Sequence, residues 1–472
     1  MRLFLTLCVL VLLVPCTGLA LDVETMDRIN DASDRLYPEL VECRRWFHSH
    51  PELSNREVAT SAEIARRLRE MGYEPRTGIA GHGVVAVLEG GRPGPVVAWR
   101  SDIDALPIDE AVDVPWKSQN PGVMHACGHD VHMTVGLGTA ELLMGMKDDV
   151  PGTVIFLFQP AEEGAPPGEE GGATLMLKEG VFDDPTPVAV FGSHVMPNHE
   201  VGTIAWGSGG VMASADRFTI RVTGRMTHGS APQDGIDAVW VGSQIVDGLQ
   251  GIIAREVDAR KPAVVSVGTF DAGNRFNIIA GSAELTGTVR TLEPSVRDQV
   301  EAAISRIVDG VCTAHRATCE VDYRRFTPVL VNDPALTRSS VEILQSMLGE
   351  EAVFEAVPIM AAEDFAEYAE VLPGFFFMLG VGNTAKGWTS YVNTPTFQPD
   401  EEALRVGVRA ASALLLGRLA ARERSHRVRE EHHERQPGHR QGQDEVEALA
   451  DDVEQHGLAA LHLGGQLLEV GL

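Results

Sequence analysis

Positive charge is scarce in this 472-residue chain: 39 lysines and arginines stand against 67 aspartates and glutamates, a formal net charge of -28. That surplus repels polyanions, which argues against nucleic acid or an anionic membrane surface as a partner. A small anionic substrate is still allowed, because one basic side chain inside a cleft is enough to bind it. Long apolar runs are also missing. The run at residues 3–14 falls short of the roughly twenty residues that span a bilayer; it follows Arg2 and precedes the small residues Gly18 and Ala20. This pattern predicts a signal peptide over residues 1–20, and with it a secreted or periplasmic protein with no other membrane association.

Cysteine is sparse as well, six in all. Cys8 and Cys16 leave with the predicted signal, so the mature chain keeps Cys43, Cys127, Cys312 and Cys319. Cys312 and Cys319 lie close together at a predicted helix-to-strand corner, where an oxidising compartment would let them pair. Cys127 is then left unpaired inside MHACGHDVHM, residues 124–133, among three histidines and an aspartate.

What is present is an ordinary globular composition, 44% hydrophobic, in a mature chain too long for one core; two or three domains are expected. Residues 24–71 read as two helices interrupted at His50-Pro51. Short apolar runs such as GVVAVLE, GPVVAWRS, GTVIFLFQ and TPVAVFGS then alternate with helical stretches near 129–146 and 173–179. That alternation predicts an α/β fold with a mostly parallel sheet covered by helices on both faces. From residue 213 the order becomes β-α-β-β-α-β, a ferredoxin-like α+β insertion. The expected domains are residues 21–212 and 327–422 for the two parts of the α/β domain and 213–326 for the insertion. A His- and Gln-rich polar tail over 423–472 reads as disordered or weakly helical.

In an open parallel sheet, ligands bind outside the carboxyl ends of the strands. Four polar clusters fall there: Asp102 and Asp104, the Cys127–His129 stretch, Glu162 with Glu163, and His194. Singly each has a bland reading, as a helix cap or a solvated pair; their coincidence at one edge points to a site. Thiolate, imidazole and carboxylate are together the ligand set of zinc and its neighbours. Gly128 lets Cys127 and His129 face one centre, and a metal-bound thiolate is unavailable for a disulfide. One of the paired glutamates can then ligate while the other stays free to accept a proton from water. A nucleophilic Cys127 activated by His125 or His129 is the rival reading, and it leaves the glutamates and His194 without a role.

The motifs WRSDIDALP, MHACGHDVH, FQPAEEG, SHVMP, THGSAP, NIIAGSAELTGTVRT and AAEDFAEY, in this order over residues 35–420, resemble those of the aminoacylase-like amidohydrolases. That group includes hippurate hydrolases, N-acyl-amino-acid deacylases and hydrolases of auxin-amino-acid conjugates. The resemblance implies a dinuclear-metal exopeptidase-like catalytic domain and a lid domain through which two subunits form a homodimer. It implies metal ligands at Cys127, His129, Glu163 and His194, a general base at Glu162, and Asp102 orienting a ligand. In the lid it implies that His228 polarises the scissile carbonyl, often in the partner's site, and that Asn277 and Arg290 hold the substrate, Arg290 through a carboxylate. The cofactors would be two divalent ions (zinc, manganese, cobalt or nickel), and the substrate a small N-acyl amino acid.

One residue type is absent where the resemblance asks for it. The group carries a fifth ligand, a histidine two residues ahead of a proline, before the last helix. This chain has YVNTPTF with Asn393 there, and no histidine lies between His315 and His426. An amide oxygen is a poorer ligand for such a dication, so the second metal site is expected to be weakened. A carboxypeptidase or dipeptidase on the same scaffold, and a binding protein that lost turnover, are the alternative functions; retention of Glu162 and His228 speaks against the last.

Overall fold

The computed structural model describes residues 21–434, with side chains described to residue 420. The predicted signal and the tail beyond 434 lie outside the described residues. Of the described residues, 21–420 belong to one compact unit.

Apolar runs that do not alternate with polar residues must be buried on both faces, and here they form the middle of an eight-stranded sheet. Its order is 76–79, 83–89, 151–159, 92–102, 190–200, 374–382, 204–206, 353–355. The central pairings are parallel, while the hairpin at one edge and the pairing of 374–382 with 204–206 are antiparallel. Along Arg92–Asp102 and its neighbours, side chains alternate between two cores. Val97, Trp99, Phe156 and Phe191 face one; Ala98, Ile155, Leu157 and Val190 face the other.

A second sheet stands apart. Strands Ala215–Thr223, Ala263–Ala272, Ser282–Thr291 and Thr318–Thr327 pair antiparallel in the order 263–272, 282–291, 215–223, 318–327. Helices Ala238–Arg255 and Pro294–His315 pack against it through Phe218, Ile220, Leu249 and Ile304. Cys312 and Cys319 form a disulfide at the corner between the second helix and the last strand, as their spacing suggested.

The helix His129–Gly145 is buried nearly all round, between the sheet and the first helix, Val23–Ser49. The closing helix runs from Glu402 to Glu434, past the expected domain end at 422. Charge fixes this layer. Buried Arg44 donates to the buried Asp130 carboxylate at 2.7 Å, and His48 bridges Asp130 (2.9 Å) and Glu110 (3.1 Å). These bonds tie the first helix, the central helix and the loop before it into one piece.

Removing one partner of a buried ion pair leaves a charge uncompensated and costs about 3–5 kcal/mol. Arg44→Met is therefore expected to lower unfolding free energy by that amount in denaturant titrations. A loss under about 1 kcal/mol would mean that His48 alone satisfies Asp130.

Candidate active site

The strand Arg92–Asp102 delivers two charged side chains to its carboxyl end. Arg100 and Asp102 share a face, and Arg100 donates to Asp102 at 2.6 Å, to Gln159 at 2.9 Å and to Asp364 at 2.6 Å, with Glu363 at 3.0 Å. Asp102 accepts from His132 Nδ1 at 2.6 Å, and His132 Nε2 accepts the Val195 N–H at 2.9 Å. Both nitrogens of His132 are thereby engaged, so it orients its surroundings and has no lone pair to offer an ion.

The next loop turns at Gly128, where φ is +88° and a Cβ would lie 2.4 Å from Val195 Cγ2. Only glycine suits both conditions. Its neighbours converge: Cys127 Sγ lies 3.3 Å from His194 Nε2 and also meets Glu163. His129 binds the Asp104 carbonyl through Nδ1 at 2.8 Å, and His194 binds the Val195 carbonyl through Nδ1 at 2.7 Å. Each imidazole is thus locked by the backbone with its Nε2 turned inward, the arrangement that fixes histidine ligands in metal sites.

The glutamates arrive by a strained turn. Ala161 holds a φ of 54°, a left-handed conformation costly for a residue with a Cβ. Its N–H is held by buried Glu57 at 2.9 Å and that of Glu163 by Asp104 at 3.0 Å. One potential donor atom from each of Cys127, His129 and His194 lies within 4.8 Å of the others, and the same holds for His129, Glu162 and Glu163. His129 belongs to both groups.

Electrostatics show what is missing. Burial and the neighbouring Glu163 and Glu162 hold the Cys127 thiol well above its ordinary range. Burial, Glu363 and Glu163 do the same for the Glu162 carboxyl. Burial presses His129 downward, yet Asp102 and Asp104 carry it up to about 10, while burial takes His194 down to about 3. Buried negative charge here exceeds what Arg100 neutralises. His129 Nε2 and Glu163 Oε1 are buried without hydrogen-bond partners, which normally costs free energy. Orphaned N and O atoms beside a thiol inside a negative cavity fit a divalent cation.

The lid residues lie elsewhere. His228 is exposed and meets the Ser230 hydroxyl through Nδ1 at 2.7 Å. Its strand pairs with Ile278, and the Gly229 N–H donates to the Asn277 carbonyl at 2.8 Å. Arg290 bonds within its own strand, to Thr288 and Val289. Asn393 comes beside the cysteine loop: its φ is 61° and its N–H donates to the Ala126 carbonyl at 2.8 Å. Sequence reading missed His132, Arg100, Glu57 and Glu363. His132 had a signal, since it stands three residues after His129 and so on the same helix face. Arg100 had one too, a charge inside an apolar strand two residues before Asp102; Glu57 and Glu363 had none.

A family model described as Peptidase family M20/M25/M40 matches residues 98–417. The chain belongs to this family. It is similar to thermostable carboxypeptidase 2 of Saccharolobus solfataricus, 37% identical over 84% of this chain and 99% of the relative. It is also similar to N-acetylcysteine deacetylase of Bacillus subtilis, 38% identical over 79% of this chain and 95% of the relative. Among solved structures, the Bacillus subtilis YXEP protein, described as a dinuclear metal binding peptidase from the M20 family, superposes with a TM-score of 0.72. It shares 36% identity, over 82% of this chain and 99% of that one. M20 membership makes the chain an amide- or peptide-bond hydrolase, and the α/β sheet with a separate antiparallel lid is the architecture expected from its sequence.

Gly128→Ala must displace Val195 or unwind the start of the central helix. Metal analysis of the purified variant is expected to show lower divalent-ion content than wild type, together with a lower melting temperature. Full occupancy would mean that the turn has no part in aligning Cys127 and His129.

Proposed function

We propose that the chain removes the acyl group from N-acyl amino acids or small amino-acid conjugates, with Cys127, His129, Glu163 and His194 holding two divalent ions. The observation that carries this reading is the convergence of these four side chains around the orphaned Nε2 of His129, beside Glu162. When bound, zinc, manganese, cobalt or nickel would polarise the scissile carbonyl and acidify water. Glu162, its pKa raised by burial and adjoining carboxylates, takes the proton of the attacking water and passes it to the leaving amine. Asp102 acts through His132 and through its nearness to His129, 3.8 Å from Nδ1.

His228 serves the oxyanion. Its Nδ1 accepts the Ser230 N–H at 3.2 Å, which leaves Nε2–H as the outward donor. Asn277 and Arg290 hold the substrate, Arg290 by a charge-assisted bond to its carboxylate. A homodimer supplies His228 across subunits, and exposed Met226 and Phe276 nearby are apolar surface that a second copy would cover. The signal-like N-terminus and the Cys312–Cys319 bridge both support a location outside the cytoplasm. A carboxypeptidase reading has the Saccharolobus relative on its side. Rates on N-acetyl and N-benzoyl amino acids against dipeptides, with manganese, zinc or cobalt added, decide between the two; no turnover with any metal would leave a binding protein.

Glu162→Ala is expected to lower hydrolysis by about 10²–10⁴-fold, the usual contribution of a positioned base, while elemental analysis finds metal content unchanged. Parallel loss of metal would reverse the roles of Glu162 and Glu163. Asn393→His is expected to raise affinity for the second equivalent of metal; identical titration curves would show that the amide costs the site nothing.

A further inference from the structure

The lid sheet has helices on one face only. On its open face a cavity of about 420 Å³ has Asp216, Arg217, Thr286, Thr288, Arg290 and Phe326 among its lining residues. A second cavity of about 150 Å³ adjoins it through Arg217 and Phe326. Strand register places Arg217 directly opposite Thr288 on one side and Arg324 on the other, with Arg290 two residues along from Thr288. Like charges directly opposite each other repel. Other arginines on this face have their own acids: Arg324 pairs with Asp322 and Arg221 with Glu284, each at 3.0 Å. Asp216, adjacent in sequence, is turned to the helix side and held by Arg297 and Tyr323.

Among the described residues, Arg217 makes no hydrogen bond or ion pair, and Arg290 directs its bonds to the Thr288 hydroxyl at 2.7 Å and the Val289 carbonyl at 3.1 Å. Two guanidinium groups thus share a groove whose acids are committed to other arginines, in a chain whose net charge is -28: Asp216 bonds Arg297, and Asp322 of the adjoining cavity, although near enough to feel Arg217, bonds Arg324. Guanidinium pairs in fork geometry with planar carboxylates as it does with phosphates, hydroxyls such as Thr286 and Thr288 complete such a site, and the reading of Arg290 as a carboxylate holder selects the carboxylate.

From this juxtaposition we infer that the groove takes both carboxylates of one small ligand, so that the substrate is an N-acylated acidic amino acid. The α-carboxylate lies at Arg290, the side-chain carboxylate at Arg217 beside Thr288, and Phe326 covers the carbon spacer. This rests on the reading of Arg290 as the carboxylate-holding residue.

N-acetylglutamate and N-acetylglutamine differ by one charge and serve as the probe pair. Wild type is expected to favour the glutamate compound about tenfold in kcat/KM, the scale of one charge-assisted hydrogen bond. Arg217→Gln should erase that preference, raising KM for N-acetylglutamate about tenfold more than KM for N-acetylglutamine. Arg221→Gln, on the same face but already paired, should keep it. Calorimetric binding of glutarate to the full-length protein reads the groove without turnover and should weaken about tenfold in Arg217→Gln. A wild type without preference, or an Arg217→Gln that retains it, overturns this inference and leaves the amidohydrolase reading standing. If no N-acyl amino acid is hydrolysed, that reading fails, and glutarate alone decides: no binding, or equal binding by wild type and Arg217→Gln, overturns the groove.

Discussion

Carboxylates removed from water need positive charge within bonding distance, and the centre of this fold buries more of them than its arginine can match. Arg100 reaches Asp102, Glu363 and Asp364, and its field extends to Glu162. Asp104, Glu162 and Glu163 remain crowded around His129. The strand ends, the bend at Gly128 and the locked imidazoles all serve to hold this imbalance in place. A cavity built so is unfavourable when empty and favourable when it holds a cation, which is how a stability deficit becomes a binding site.

Much of this could be read from residue order. Unbroken apolar runs gave the strands because a sheet covered on both faces needs no alternation, and the change of pattern near residue 213 marked the lid. The unpaired Cys127 among histidines was the strongest local signal, since thiol and imidazoles together make a ligand set, whereas Cys43, also unpaired, lies in the apolar core. The partners of these residues were harder to see. Arg100 sits where an apolar residue would fit the strand, and only its neighbours across the sheet explain it. Glu57 and Glu363 come from stretches far away in sequence, and a lone glutamate carries no hint that it will be buried. His132 was visible as a letter but not as a hydrogen-bonded bridge between Asp102 and Val195.

The lid poses the reverse problem. Arg290 and His228 were marked by resemblance, yet their bonds in the structure are made inside the lid. Arg217 had no mark at all; it stands out only because strand pairing sets it against Arg324 while the hydrogen bonds of Asp216 and Asp322 go to other residues.

The loop that carries Cys127 is fastened to the first helix and its end: the Gln119 N–H donates to the Ser49 carbonyl at 2.9 Å, the Asn120 amide to the Pro51 carbonyl at 2.7 Å, and Arg45 lies over Trp116 at 3.6 Å. That helix is in turn held by Glu401, which accepts from Arg45 at 2.9 and 2.7 Å. During synthesis the helix emerges early, but its anchor is made only after some 350 further residues. A nascent chain shorter than 401 residues therefore carries the Cys127 loop without the ion pair that steadies the helix to which the loop is fastened.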